Sequence, residues 1–157
     1  MAKTPEDPRG TRERVLRSAE TLFAERGFEI VSLRDITGAA DANVAAVNYH
    51  FGSKEKLIDA VIERHVVPIN EERVELLNRF EAKWVESPLP VDKVLKAFLW
   101  PMLRHITSGE MSEELFGKFM GRLIGERGYR LPESVRPLFR MMAARFTSAL
   151  RRAVPQL

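Results

Sequence analysis

The chain has 157 residues, of which 45% are hydrophobic, so it is long and apolar enough to bury a core of its own. It contains no cysteine, which excludes disulfides, thiolate metal sites and cysteine nucleophiles. The net charge of +3 is a weak argument for a nucleic-acid partner, because the excess of basic residues lies after residue 66.

The amino-terminal sequence has no apolar run of the kind found in a signal peptide. No segment approaches the roughly 18 consecutive apolar residues that a membrane span requires. We therefore expect a cytoplasmic protein that has no membrane partner.

Residues 1–10 contain two prolines and a glycine, and we predict that they form a flexible arm. Thr11 is expected to cap the first helix at its start, and Gly27 is expected to cap it at its end. We expect Phe28 and Ile30 to pack where the chain turns back. The apolar residues at helical spacing in this segment are Val15, Leu16, Ala19, Leu22 and Phe23.

A second helix is predicted to follow Ser32. The segment from Ser32 to Asp35 has the form of a capping box, in which a serine side chain and an acidic side chain three residues later satisfy backbone N–H groups at a helix start. This helix should continue to about Ala40.

A third short helix should start after a turn at Asp41. Asn43 is a favourable N-cap, and the helix should run to about Tyr49 before Gly52 breaks the chain. Two short helices joined by a tight turn predict a helix-turn-helix over residues 32–50. We expect small residues where its helices meet, namely Ala39, Ala40, Ala42 and Ala45.

The remaining sequence predicts helices only. One helix should begin at Lys54 and end before Pro68, and Pro101 should kink a later helix. Further helices are predicted over 69–86, 91–106 and 112–127, with a linker at 87–90, and a last helix with Pro132 in its first turn should reach Val154. Gly128 is expected to end the helix over 112–127. Since no segment alternates with the period of a strand, the predicted fold class is all-α.

Periodicity alone leaves the meaning of residues 32–50 open. A helix-turn-helix that reads DNA and a helical hairpin inside a bundle would both produce this pattern of short helices. Three sequence motifs favour the first interpretation. They are Phe23-Ala24-Glu25-Arg26-Gly27-Phe28, Ser32-Leu33-Arg34-Asp35-Ile36 and Asn48-Tyr49-His50-Phe51-Gly52-Ser53-Lys54-Glu55-Lys56-Leu57.

These segments resemble the TetR family of bacterial transcriptional regulators over about residues 11–66. The resemblance implies a DNA-binding domain over 11–66 and a helical ligand-binding and dimerisation domain over 67–157. It also implies a repressor that binds an operator with an inverted repeat as a homodimer and is released by a small hydrophobic effector. The run from Ala45 to Phe51 is similar to a subgroup responsive to fatty acids or acyl-CoA.

The resemblance and the residue types together predict a set of DNA contacts. Asn48 suits adenine, and small apolar side chains suit thymine methyl groups. Arg34 suits a guanine or a phosphate, or is a surface arginine; Asn43 could serve as a cap alone, and His50 could be packed between helices. The predicted DNA-binding residues are Ser32, Arg34, Asn43, Val44, Ala46, Asn48, Tyr49, His50 and Lys54.

The turn departs from the family pattern. Many members have glycine there, whereas this chain has Asp41. Aspartate tolerates the left-handed conformation better than most residues, so we expect the turn to be retained. The carboxylate should modestly weaken binding to DNA.

The second half is rich in large apolar side chains, which suit a flexible hydrophobic ligand and an ordinary core equally well. The candidate ligand-binding residues are Phe98, Met102, His105, Phe119 and Met120. Family members usually continue through further helices that pair two subunits, so we expect this chain to lack at least one late helix and to dimerise less readily.

Two other classes of function predict different observations. A helical protein-interaction module would show no salt-dependent, sequence-specific binding to DNA. An enzyme is not expected, because neither a metal-ligand pattern nor a nucleophile motif is present in the sequence. We expect no cofactor and no metal site.

Overall fold

The computed structural model describes residues 8–109, 111–126 and 131–156. These residues form seven α-helices and no strand, which confirms the all-α fold class. The helices are α1 (Pro8–Arg26), α2 (Leu33–Ala39), α3 (Val44–Phe51), α4 (Lys54–Glu81), α5 (Val91–Thr107), α6 (Glu113–Gly125) and α7 (Arg136–Ala153). No helix in the described parts is long and apolar enough to cross a membrane.

The first helix begins earlier than predicted. It starts at Pro8, so residues 8–10 are helical and the remainder of the predicted arm, 1–7, lies outside the described residues. Proline is favourable in a first helical turn, because its missing N–H would have no partner there. Thr11 is buried inside the helix and accepts a hydrogen bond from Arg14, so its prediction as N-cap was wrong.

Pro68 does not end α4, contrary to prediction. The helix continues through it to Glu81, although proline removes one backbone hydrogen bond and crowds the carbonyl group four residues earlier. Val66, Ile69 and Leu77 are all buried. The apolar face thus continues on both sides of the proline, and its packing outweighs the local cost.

The last helix also begins later than predicted. Pro132 lies in the turn before it, and the helix starts at Arg136 with Pro137 in its first turn. The end at Ala153 agrees with the prediction to within one residue. The predicted stop at Gly128 lies outside the described residues.

The chain divides into two compact units that differ from the predicted domains. Unit 1 comprises residues 1–62 and 112–130, and unit 2 comprises 63–111 and 131–157. Helix α6 therefore belongs to the amino-terminal unit, where it packs along α1. The predicted boundary at residue 66 followed the chain order and could not show this return.

The core of unit 1 is built around α1. Phe23 is fully buried, and Phe28 packs against it with ring centroids 5.4 Å apart. Ile30 is 77% exposed, so the prediction that it packs was wrong, and Val31 takes the buried position instead. Other buried residues of this unit are Val15, Ala19, Ile36, Val47, Leu57, Val61 and Phe119.

Unit 2 consists of the second part of α4 together with α5 and α7. Helices α5 and α7 pack together, and the rings of Phe98 and Phe146 meet edge to face at 5.3 Å. Glu81 accepts hydrogen bonds from Arg145 and Arg152 of α7 at 2.7 and 2.6 Å. The buried cluster of this unit contains Leu77, Leu89, Val94, Ala97, Met142, Phe146 and Ala149.

Candidate nucleic-acid interface

The start of α2 is fixed by the predicted capping box. The Ser32 hydroxyl accepts a hydrogen bond from the Asp35 amide at 3.2 Å, while Asp35 Oδ2 accepts from the Ser32 amide at 2.8 Å. The Ser32 hydroxyl also donates to Asp35 Oδ2 at 2.5 Å. This bond and the one from the Ser32 amide, with smaller contributions from nearby Arg26 and Lys54, lower the pKa of Asp35 below its ordinary value. Two otherwise unpaired N–H groups are thereby satisfied, and this prediction is confirmed.

The turn between α2 and α3 has the predicted left-handed residue. Asp41 has a φ of +47°, and the Ala42 amide donates to the Thr37 carbonyl at 2.9 Å. From α1, Arg14 Nε donates to the Ala40 carbonyl at 3.1 Å. The first helix therefore holds the carboxyl end of α2 and the turn in place.

Helix α3 is capped at both ends as predicted. The Asn43 side chain accepts a hydrogen bond from the Ala46 amide at 2.8 Å. At the other end, Gly52 has a φ of +86° and its amide donates to the Asn48 carbonyl at 3.0 Å. Caps at both ends stabilise a helix of eight residues, which would be too short to persist on its own.

The outer face of α3 carries both polar and apolar side chains. Val47 is fully buried and so marks the side of α3 that faces the core. Residues spaced three and four positions apart share the opposite, outer face. The exposed residues on this face are Val44, Ala45, Asn48 and Tyr49. Ala46 is half-buried and Ala45 is exposed, the reverse of what the sequence predicted for these two alanines. Ala39 is also exposed.

The carboxyl end of α3 presents aromatic and basic groups. Tyr49 is 82% exposed, whereas His50 is half-buried, with the two ring centroids 5.0 Å apart. Arg12 of α1 lies over the ring of Phe51, 5.0 Å from its centroid. Arg12 was not among the predicted residues, because only tertiary packing brings α1 beside the end of α3.

Lys54 begins α4 and has a partner that the sequence did not predict. Its Nζ donates to the Glu29 carbonyl at 3.0 Å, which links the start of α4 to the segment between α1 and α2. Lysine has three N–H donors, and this bond uses one of them. Arg34, on α2, is exposed.

The five candidate ligand-binding residues do not lie in one unit. Phe98, Met102 and His105 belong to α5 in unit 2, whereas Phe119 and Met120 belong to α6 in unit 1. Phe119 is fully buried and packs against Phe28 with ring centroids 6.1 Å apart, so its role there is in the core.

In unit 2, α5 faces polar groups of α4. His105 Nε2 lies 3.0 Å from Nδ1 of the buried His65. The guanidinium of Arg73 lies 4.1 Å from the ring centroid of Phe98 and donates to the Phe98 carbonyl at 2.7 Å. Burial lowers the pKa of Arg73. Within the described parts of the chain, no three His, Asp or Glu residues are grouped so that they could hold a metal ion.

Comparison with known proteins decides the family. Residues 15–61 match the sequence model described as bacterial regulatory proteins of the tetR family, and residues 96–157 match the one described as a tetracyclin repressor-like C-terminal domain. The chain belongs to the TetR family. Its first matched segment contains the capping box, the turn and α3.

Several TetR-type repressors and regulators are similar in sequence. The repressor KstR2 of Mycolicibacterium smegmatis is 36% identical over 38% of this chain and 29% of its own length. The repressor NicS of Pseudomonas putida is 32% identical over 57% and 40%, and the regulator AcrR of Shigella flexneri is 30% identical over 71% and 47%. The chain thus spans less than half the length of each of these relatives.

Solved structures share the TetR fold over almost the whole chain. A HlyIIR mutant protein superposes with a TM-score of 0.64 at 25% identity, covering 96% of this chain and 74% of its own. A transcriptional regulator from Aquifex aeolicus superposes with a TM-score of 0.57 at 24% identity, covering 93% and 74%.

Proposed function

We propose that this protein is a sequence-specific DNA-binding transcriptional repressor in which α3 enters the major groove. The outer face of α3 carries the proposal, because it exposes a short row of side chains that suit base edges on a helix capped at both ends. KstR2 and NicS are named as repressors, which supports the direction of regulation. A regulator of this kind acts in the cytoplasm and is not an enzyme.

Each contact in the proposal has a physical basis. Asn48 hydrogen-bonds an adenine edge, and Val44 and Ala46 contact thymine methyl groups; the neighbouring Ala45 is more exposed and adds to this apolar surface. Arg34 reaches a guanine or a phosphate from α2.

The remaining predicted residues act on the DNA backbone. Tyr49 and Lys54 are proposed to bind phosphates, as is the hydroxyl of Ser32 in addition to its capping bond. His50 is half-buried beside Tyr49 and orients that ring, and Asn43 acts mainly as the cap of α3.

Selection of bound sites from a random DNA pool tests the proposal, with the mass of the complex measured alongside. We expect an enriched inverted repeat bound by two copies of the chain. A two-fold site requires two DNA-binding domains, each called a reading head below. The competing class, a helical protein-interaction module, predicts no enrichment and no dependence of binding on salt. Either of these negative results would remove DNA recognition from the proposal.

The homodimer is part of the proposal. Helix α5 leaves several large apolar side chains about half-exposed, namely Leu95, Leu99, Trp100 and Leu103. A monomer would keep this surface in water, whereas pairing of two copies would bury it. Sedimentation of Leu99→Glu beside the wild type tests this surface, and a dimer of unchanged strength in the variant would exclude it.

We further propose a small hydrophobic effector with an acidic headgroup, such as a fatty acid or acyl-CoA. Phe98, Met102 and His105 on α5 offer apolar area and a polar end, and the partly buried Arg73 offers a cation to an acidic headgroup. Phe119 is fully buried against Phe28 and is not part of this site. The effector would release the operator by favouring one arrangement of the two reading heads over another.

Thermal unfolding and operator binding with lauric acid and with lauryl alcohol, both below their micelle concentrations, test the effector. We expect the acid to raise the melting temperature and weaken operator binding, and the alcohol of equal chain length to do less. Equal effects of both compounds, or none from either, would exclude recognition of an acidic headgroup.

A further inference from the structure

The segment between α1 and α2 is held by the carboxyl end of α6, almost a hundred residues later in the chain. We call Arg122 of α6 and Glu126, the residue that caps the carboxyl end of α6, the α6 clamp. The segment itself, residues 27–31, is called the corner. It ends one residue before Ser32, the cap of α2.

The α6 clamp binds backbone groups of the corner and of the last turn of α1. Glu126 Oε2 accepts a hydrogen bond from the Phe28 amide at 3.1 Å. Arg122 Nη2 donates to the Glu25 carbonyl, in the last turn of α1, at 3.1 Å. Arg122 Nη1 and Glu126 Oε1 lie 3.7 Å apart, so the two clamp residues also hold each other. The positive charge of Arg122 suits its place at the end of α1, because a cation stabilises the carboxyl end of a helix.

The corner fits the α6 clamp closely at Gly27. This residue has a φ of +96°, and a Cβ built on it would collide with Glu126 Oε1. Phe28 follows immediately, and its ring packs on the fully buried Phe119 of the same α6 helix. A polar and an apolar contact from one helix therefore fix consecutive residues of the corner.

A proposed DNA contact, Lys54, also holds the corner. Lys54 donates to the carbonyl of Glu29, one residue after the amide that Glu126 binds. A displacement of the corner would move the oxygen on which the Lys54 ammonium rests. It would also move the start of α2, because Ser32 follows after two further residues.

We propose that Arg122 and Glu126 are positioning residues for DNA binding. They fix the corner so that the ammonium of Lys54 is presented to a phosphate, although neither clamp residue contacts DNA. This inference rests on the proposed function. It adds that residues outside the helix-turn-helix set the affinity for all DNA sequences equally.

The test compares Glu126→Ala with a matched control on the same helix, Glu114→Ala. Glu114 forms an exposed pair with Lys118 at 2.6 Å, about three turns of α6 before Glu126, so its removal affects α6 without releasing Phe28. We expect Glu126→Ala to weaken binding to all DNA sequences about tenfold, of the order expected for one lost charge-assisted hydrogen bond. Glu114→Ala should bind like the wild type.

A salt titration separates positioning from general stability. If the α6 clamp acts through Lys54, Glu126→Ala should lower the slope of log affinity against log salt toward that of Lys54→Ala. The double variant should then show the slope of Lys54→Ala alone. Glu126→Gln keeps an oxygen that accepts from the Phe28 amide, and it should recover most of the affinity.

Hydrogen exchange of the Phe28 amide reports on the α6 clamp without DNA. We expect faster exchange in Glu126→Ala than in the wild type and in Glu114→Ala. Unchanged exchange, or wild-type affinity and slope in Glu126→Ala, would overturn the positioning role while leaving the proposed function intact. If the wild type itself selects no DNA sequence, the proposed function fails and the positioning role fails with it.

Discussion

At the scale of single residues, Lys54 connects the structure of the corner to the proposed phosphate contact. Replacing it with alanine should weaken binding to all DNA sequences and reduce the salt slope by about one, because one fewer counterion is released. Lys56 is the matched control, since it lies two residues further on, is exposed and pairs with Asp59 at 3.7 Å. Titrations at several salt concentrations measure both effects, and equal slopes for the two variants would contradict the role of Lys54.

Replacing Asn43 and replacing Asn48 should have different effects, the first on stability and the second on site preference. Asn43→Ala removes a cap and should lower the free energy of unfolding by about 1 kcal/mol. Asn48→Ala should leave stability nearly unchanged and alter the preference among sites, by about 1–3 kcal/mol for a disturbed base contact. Denaturant unfolding combined with binding to single-base operator variants distinguishes the two. A site preference unchanged in Asn48→Ala would remove this residue from base recognition.

Asp35 links the capping box to pH. Its folded-state pKa is lowered chiefly by the hydrogen bonds from Ser32, so ionised Asp35 stabilises the fold above its ordinary pKa of 3.8, and this contribution is lost as the pH falls through the folded-state value. An NMR titration of the carboxyl carbon should give a midpoint below 3.8. In Ser32→Ala the midpoint should rise toward that ordinary value. A midpoint that Ser32→Ala does not change would show that the bond is not the cause.

The residue scale also shows what sequence patterns can predict. Caps were predicted correctly at Ser32 and Asn43, because a cap depends on a few adjacent residues and a simple chemical rule. The exposure of Ala45 and the burial of Val31 were not predicted. Both depend on the rotational phase of a short segment against its neighbours, and alanine carries little hydrophobic signal.

At the scale of helices, local rules failed where packing opposed them. Proline favours a helix end, yet α4 passes through Pro68 because apolar residues continue on both sides. The type of every helix was predicted, since periodicity persists over many residues. The starts of α1 and α7 differ from the predicted ones by several residues, because more than one proline or polar residue could serve as the start.

Helix α6 is weakened by its own glycines, and this can be reversed. A Cβ at Gly117 or Gly121 would meet nothing within 4 Å, so Gly117→Ala should raise the free energy of unfolding by about 1 kcal/mol through helix propensity. Gly27→Ala should be destabilising instead, since it forces a side chain into a left-handed conformation against Glu126. Chemical denaturation of both variants gives the two signs, and a loss of stability in Gly117→Ala would indicate that this face of α6 is covered.

At the scale of the whole molecule, the two compact units do not follow the boundary at residue 66 that the sequence predicted. Motifs over residues 32–57 identify the DNA-binding region because they depend on adjacent residues. Assigning α6 to unit 1 requires contacts between residues 98 positions apart, such as Phe28 and Glu126, which no local pattern encodes. The same limit applies to Phe119, whose apolar character fits a ligand site and a core equally well.

The return of α6 to α1 has a consequence for the order of folding. The amide of Phe28 and the carboxylate of Glu126 are separated by 98 residues, so their contact closes a long loop and costs more chain entropy than a contact between neighbours. During synthesis, α1, α2 and α3 leave the ribosome well before α6 exists. The nascent DNA-binding domain therefore lacks the contact between Phe28 and Phe119 until α6 has been translated.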